Sequence, residues 1–344
     1  MPAPYESSPP QQPPLATPWV MMIGGPTASG KSALAAAVAQ AWGGTVINAD
    51  SMQVYRELSL LTARPRGAEL AAAPHRLYGT LSGAEPCSAG RWRALAVAEV
   101  EATLAAGRLP ILVGGTGLYL KVFAEGLNDI PEPPADIRAA ARASLATIGV
   151  EAFRARLAER DPVMAARLHP ADSQRLLRAW EVLEATGRSL ADWQAAPATP
   201  APYRFARLCL LPPRPALYAA CDARLEAMVA PPEVEGEAGG EAGGGALEEV
   251  AALLALGLDP ALPVMKAVGV PEFAACLAGE TSLEAALAQA QQATRRYAKR
   301  QTTWLRHQFI GNDPTVLVME TQYSESLRQE FFAKIRQNLL TDPG

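Results

Sequence analysis

Long apolar runs are missing from this 344-residue chain, although 49% of its residues are hydrophobic. None reaches the roughly 20 residues that a membrane-spanning helix needs, which excludes a transmembrane helix. The N-terminus lacks the basic and apolar regions of a signal peptide, and residues 1–18, rich in Pro, Gln and Ser, read as a disordered leader. Cysteine is scarce and scattered. Cys87, Cys209, Cys221 and Cys276 form no C-x-x-C pair, so neither a disulfide framework nor a zinc site is indicated. A reducing, cytoplasmic setting with no membrane partner follows. A surplus of positive charge is also absent: 31 Lys and Arg against 35 Asp and Glu leave a net charge of −4. That excludes a uniformly basic nucleic-acid binder and permits a local basic face.

What is there begins with Gly25-Pro26-Thr27-Ala28-Ser29-Gly30-Lys31-Ser32, a gapless G-x-x-x-x-G-K-[ST] between the apolar run Val20–Ile23 and a helical run from Ala33 to Trp42. Strand, loop and helix in that order are the context in which this motif, the P-loop, binds phosphate. Its glycines let backbone N–H groups turn toward phosphate oxygens at a helix N-terminus, where the helix dipole also favours an anion. Lys31 adds a point charge and the Ser32 hydroxyl can ligate Mg²⁺. A di- or triphosphate therefore binds here.

Further strands are expected at 44–47, 75–81, 110–113, 205–211 and 315–318, alternating with helices, among them one capped by Ser88 and a last one capped by Ser282 and running to about 309. Such alternation predicts an α/β fold, a P-loop NTPase-like doubly wound parallel sheet. From about 135 to 194 the pattern is helical throughout, with breaks at Gly149, Asp161-Pro162, His169-Pro170 and Gly187, and predicts an inserted all-helical domain. The expected division is a core of 19–130 and 203–320, a helical insertion of 131–202, and a flexible acidic Gly/Glu loop at 231–245. Asp50 ends the second strand, at the carboxyl edge where ligands of open α/β sheets sit.

The P-loop alone does not separate a kinase, a hydrolase and a transferase that grips a diphosphate. No N-K-x-D motif occurs, and the most apolar later strand ends in Gly114-Gly115-Thr116-Gly117 rather than in a carboxylate, which disfavours a hydrolase. A small-molecule kinase with Asp50 as base stays open. Five blocks then resemble the tRNA dimethylallyltransferase (IPP transferase) family in its bacterial form. They are the P-loop, Asn48-Ala49-Asp50-Ser51-Met52-Gln53-Val54-Tyr55-Arg56, Gly114 to Tyr119, Asp172-Ser173-Gln174-Arg175-Leu176-Leu177-Arg178, and Lys299-Arg300-Gln301-Thr302-Thr303-Trp304-Leu305-Arg306.

The resemblance implies transfer of a dimethylallyl group from dimethylallyl diphosphate to the exocyclic amine of the adenosine 3′ of the anticodon in tRNA. Diphosphate leaves, and Mg²⁺ is the cofactor. By family position Lys31, Asp50, Thr116 and Arg224 are catalytic, with Asp50 as base or, alternatively, as a carboxylate that only orders the loop. Residues Gly25, Pro26, Thr27, Ala28, Ser29, Gly30, Lys31 and Ser32 hold the diphosphate, with Ser32 on the metal. The anticodon stem-loop is met by Asp50, Ser51, Met52, Gln53, Thr116, Arg138, Gln174, Arg175, Leu176, Leu177, Arg178, Lys299, Arg300 and Arg306. Arg295, Arg296, Lys299, Arg300 and Arg306 fall between Gln289 and Gln308 with no acidic residue among them, an imbalance that suits phosphate contact. The expected protein is a monomer. An enzyme that prenylates free adenine nucleotides is the nearest alternative; the helical insertion and the basic helix favour tRNA.

Overall fold

The computed structural model describes residues 17–230 and 245–337. All but residues 17–18 of the expected leader and all but Gly245 of the expected acidic loop lie outside the described residues. In chain order, β1 (Trp19–Gly24) leads through the P-loop into α1 (Lys31–Trp42) and β2 (Gly44–Asn48). Next come α2 (Gly67–Ala72), β3 (His75–Arg76), α3 (Ala89–Ala105), β4 (Leu109–Gly114) and α4 (Gly117–Glu125). Four consecutive helices follow: α5 (Ala135–Arg160), α6 (Pro162–Arg167), α7 (Ser173–Thr186) and α8 (Leu190–Ala195). The chain then returns with β5 (Arg204–Leu210), α9 (Arg214–Val229), α10 (Ala246–Ala255) and α11 (Val270–Leu277). It closes with α12 (Leu283–Trp304), β6 (Leu317–Met319) and α13 (Arg328–Ile335).

The strands form one parallel sheet in the order β3-β2-β4-β1-β5-β6. Its central strands are apolar on both faces because helices cover both, as parallel sheets require. Val20 and Met22 of β1 point into one core with Ile47, Leu112, Trp92 and Phe273, while Met21 and Ile23 point into the other with Val46, Ile111, Leu34 and Phe331. β4 returns between β1 and β2, so the loops leaving β1 and β4 open side by side at the carboxyl edge, the usual ligand crevice of such sheets. Among the described residues no helix is long and apolar enough to cross a membrane.

Two compact units result, Met1–Ala124 with Pro202–Gly344, and Glu125–Ala201. Within the second, α5 turns at Gly149 (φ 78°), Asp161 caps α6 through Met164 N, Asp172 caps α7 through Arg175 N, and Gly187 ends α7 in the left-handed region. Side chains Phe153, Leu157, Leu176 and Val182 fill its core, with the Phe153 and Trp180 rings 5.4 Å apart.

Three expectations change. The strand foreseen at 75–81 shrinks to His75–Arg76, because Leu77 adopts a positive φ of 63° and its carbonyl turns to accept a hydrogen bond from Asn48 Nδ2. Only the Tyr55–Leu81 bridge continues the pairing. The helix foreseen to 309 is regular to Trp304 and finishes in a π-helical turn, Leu305–Ile310. It is the last long helix, and a short one that was not foreseen, α13, follows β6 and buries Phe331 and Ile335 in the core that holds α1.

Trp92 ties α3 to the carboxyl edge: fully buried, it stacks on Tyr119 at 4.3 Å and its Nε1 donates to Asn48 O at 2.9 Å. Trp92→Ala is expected to cost about 3–5 kcal/mol of unfolding free energy, measured by urea denaturation.

Candidate active site

The P-loop leaves β1 with Ala28 (φ 62°) and Gly30 (φ 82°) both left-handed, a backbone alternation that turns successive N–H groups toward one concavity. α1 begins directly after it with no side chain capping its first amides. Those donors are left for an anion. Lys31 Nζ lies 3.3 Å from Pro26 O, folded back over the loop. Burial pushes its ammonium down to about 8, opposed by the Asp50 carboxylate and reinforced by Arg224. Ser29 Oγ is buried and has no partner.

Asp50 is presented by a web of backbone bonds. Asn48 Oδ1 accepts from Asp50 N at 2.9 Å while Asn48 Nδ2 donates to Asp50 O at 3.0 Å, and Asp50 Oδ1 accepts from Met52 N at 2.9 Å. Thr116, in the neighbouring turn after β4, accepts from Ser51 N at 3.0 Å and donates to Ser51 Oγ at 3.2 Å. That turn can approach so closely only because Gly114 has no side chain: a Cβ there would strike the Ala49 carbonyl. Arg224 reaches over from α9, its Nη2 donating to Thr27 Oγ1 at 2.5 Å and its Nε buried without a partner. Burial pushes the guanidinium pKa below its usual range, with Cys221 and Asp50 opposing. Glu226, two residues further along α9, accepts instead from Gln291 Nε2 at 2.9 Å.

Two residues of this site were not singled out from the sequence. Gln301 of α12 is buried between the two loops, its Oε1 accepting from Thr27 N at 2.8 Å and its Nε2 donating to Gly115 O at 3.0 Å. Tyr297, one turn earlier, hydrogen-bonds with Thr116 and Gln301, and burial together with Asp50 raises its phenol well above the ordinary value. A usable signal existed: Ala290, Thr294, Ala298, Gln301 and Leu305 recur at helical spacing as a buried stripe, which puts the glutamine in line with core positions. Next to them lies a cavity of about 340 Å³ lined by the polar Thr27, Asp50, Ser51, Arg224 and Tyr297 and by the apolar Met52, Leu61, Leu225, Met228 and Val268.

A family model described as IPP transferase matches residues 53–308. The chain belongs to the IPP transferase family. It is 55% identical to the tRNA dimethylallyltransferase of Paramagnetospirillum magneticum over 94% of this chain and 98% of that one. The corresponding protein of Rhodospirillum rubrum is 57% identical over 91% and 94%. The full-length tRNA isopentenylpyrophosphate transferase of Bacillus halodurans aligns with a TM-score of 0.62 at 30% identity, covering 94% of this chain and 98% of that chain. A eukaryotic dimethylallyltransferase captured acting on tRNA aligns with a TM-score of 0.75 at 25% identity, covering 92% and 78%.

In this IPP transferase family member the residues assigned to nucleic-acid contact divide by burial. Gln174 and Arg175 are exposed on α7, Arg175 lying 3.4 Å from Asp172, whereas Leu176 and Leu177 are core side chains of the helical unit. Reading the whole 174–178 block as contact surface is corrected there: hydrophobic packing claims both leucines. Arg178 faces the buried Glu181 along with Arg142 and Arg138, and Arg138 also pairs with Glu132 at 2.9 Å. Gln53 is likewise buried, its amide donating to Thr62 O and Ala63 O at 2.7 and 3.0 Å, so its side chain shapes the loop instead of facing outward. Lys299 and Arg300 of α12 and Arg306 of the π-helical turn are exposed, and Arg300 sits over the Tyr297 ring at 5.7 Å. Arg295 leaves the basic set, because it pairs with Asp222 at 2.6 Å.

Lys31 makes anion binding pH-dependent in a defined direction. In the empty site its charge is held below about pH 8 and lost above it, while a bound anion favours the charged form. The affinity advantage of the wild type over Lys31→Gln for inorganic diphosphate is therefore expected to shrink above pH 8, by up to about tenfold per pH unit. Calorimetric titration at pH 7 and 9.5 checks this, and taking the ratio cancels the ionisation of diphosphate itself.

Proposed function

We propose that this chain transfers a dimethylallyl group from dimethylallyl diphosphate to the exocyclic amine of the adenosine 3′ of the anticodon in tRNA, giving N-isopentenyladenosine and diphosphate. The observation that carries this reading is one cavity that gathers Thr27 of the P-loop, Arg224 and Asp50 with the apolar side chains of Leu61, Met228 and Val268, next to the uncapped start of α1 and to Lys31, which feels both Asp50 and Arg224. A cradle for a leaving diphosphate, a carboxylate for an amine and an apolar slot for a five-carbon chain are what the reaction needs.

The diphosphate is held by the P-loop N–H groups, Lys31 and Arg224. The buried, unpartnered Arg224 Nε and Ser29 Oγ suit an oxyanion, since a buried donor left unpaired costs free energy that an anion relieves. Asp50 orients the adenine amine and takes its proton as the C–N bond forms. Thr116, hydrogen-bonded to Ser51, keeps that carboxylate loop against the turn after β4. Leu61, Met228 and Val268 exclude water from the prenyl group.

Mg²⁺ fits this donor set only together with its ligand. Among the described residues no group of three or more His, Cys, Asp or Glu gathers to hold a metal ion. The ion would be held by Ser32 and the oxygens of the diphosphate, the common way Mg²⁺ is bound with phosphates. When bound, it spreads the negative charge that grows on the leaving diphosphate.

An adenosine must leave the stack of the anticodon loop to enter such a cavity. Around the cavity, Gln174, Arg175, Arg178 and Arg138 of the helical unit, Lys299 and Arg300 of α12, and Arg306 of the π-helical turn after it meet the RNA, chiefly at its backbone. One chain carries every residue named, so a monomer suffices, and a tRNA substrate places it in the cytoplasm.

Mixing the protein with unmodified tRNA, Mg²⁺ and labelled dimethylallyl diphosphate, without ATP, is expected to put label on the tRNA. Unlabelled tRNA together with turnover of added ATP would instead favour a kinase. Asp50→Ala is expected to keep tRNA affinity and lose about 10²- to 10⁴-fold in single-turnover transfer; unchanged transfer would remove Asp50 from the role of base.

A further inference from the structure

We infer that the segment after β6, through Gln322 and Tyr323, is a strap that positions the P-loop for diphosphate, a role resting on the proposed function above. Gln322 Nε2 donates to Ala28 O at 2.9 Å, and Tyr323 N donates to Ser29 O at 3.2 Å. Two consecutive carbonyls of the loop are thus held from one outer side. In a trans peptide the C=O and the following N–H point in opposite directions. Fastening Ser29 O to Tyr323 therefore aims Gly30 N–H away from the strap, and fastening Ala28 O sets Ser29 N–H, which closes the turn on Pro26 O at 3.3 Å.

The loop needs such support. Ala28, with a side chain, sits at φ 62°, a region that L-residues enter at a cost in free energy. Gly30 shares the left-handed conformation, and a Cβ on it would lie 2.6 Å from Tyr323 O. The strap is itself anchored. Tyr323 is buried, its ring meets Phe331 of α13 edge-on at 5.2 Å, and its hydroxyl donates to Glu325 Oε2 at 3.0 Å. Phe331 and Ile335 are buried in the same core as Leu34 and Val38 of α1, so strap and P-loop helix share one foundation. Gln322 touches the loop from behind and acts through it, which makes it a positioning residue.

The test compares the wild type with Gln322→Ala and with Gln322→Glu, which keeps the size and loses the donor. Binding of inorganic diphosphate with Mg²⁺ is measured by calorimetry, alongside tRNA affinity, the melting temperature and the KM for dimethylallyl diphosphate. Both variants are expected to bind diphosphate roughly 3- to 10-fold more weakly, the loss of one hydrogen bond, with KM for the donor rising in step. Melting temperature and tRNA affinity stay at wild-type values. Undiminished diphosphate affinity in both variants overturns the strap. So does a loss accompanied by an equal fall in tRNA affinity and thermal stability, because Gln322 would then serve the fold at large. A wild type that binds no diphosphate is a different result and counts against the proposed function.

Discussion

Two carboxamides grip one strained loop. Gln301 takes the Thr27 N–H and returns a hydrogen bond to Gly115 O, while Gln322 donates to the carbonyl of left-handed Ala28. Left-handed backbone is what turns a run of amides toward an anion, and it is also what a chain of L-residues resists. The geometry of the loop therefore depends on neutral hydrogen bonds from elements far along the chain. Neutral amides supply them without adding charge beside Lys31 and Arg224.

The charged groups are arranged around this frame at close quarters. Lys31 and Arg224 are both desolvated and both feel Asp50, so each cation is held partly by the carboxylate and partly left wanting an anion. Tyr297 and Thr116 add hydroxyl groups near Asp50, which orient without competing as charges.

Support for the cavity extends into its rim. Glu249 of α10 accepts from three successive backbone N–H groups, Ser59, Leu60 and Leu61, at 2.6 to 2.8 Å, and so secures the loop from which Leu61 and Thr62 line the cavity. Gln53 holds the same loop from inside through Thr62 O and Ala63 O. Side chains that a list of polar residues would assign to substrate are here spent on backbone. In the helical unit Leu176 and Leu177 are likewise committed to the fold, as core side chains.

Local physics made much of this legible in the sequence. The P-loop, the strand–helix alternation, the Ser88 and Ser282 caps and the breaks at Gly149, Asp161-Pro162 and Gly187 each depend on a few adjacent residues, and each stands in the structure as read. Asp50, Thr116 and Arg224 were found through motif and family likeness; Asp50 and Arg224 line one cavity, and Thr116 hydrogen-bonds to Ser51 at its edge. Other features depended on contacts between distant segments. The short β3 follows from Asn48 capturing Leu77 O, Arg295 is neutralised by Asp222, and α13 is a helix whose place is set by the core it completes. Gln301 and Gln322 lie 274 and 294 residues from the loop positions they hold. The sequence by itself determined which backbone turns through the left-handed loop ahead of α1, because that is decided by glycine placement and helix start within eight residues of chain. Only the tertiary structure decided what keeps that loop in shape, because a hydrogen bond between segments so far apart leaves no periodicity and no spacing to read.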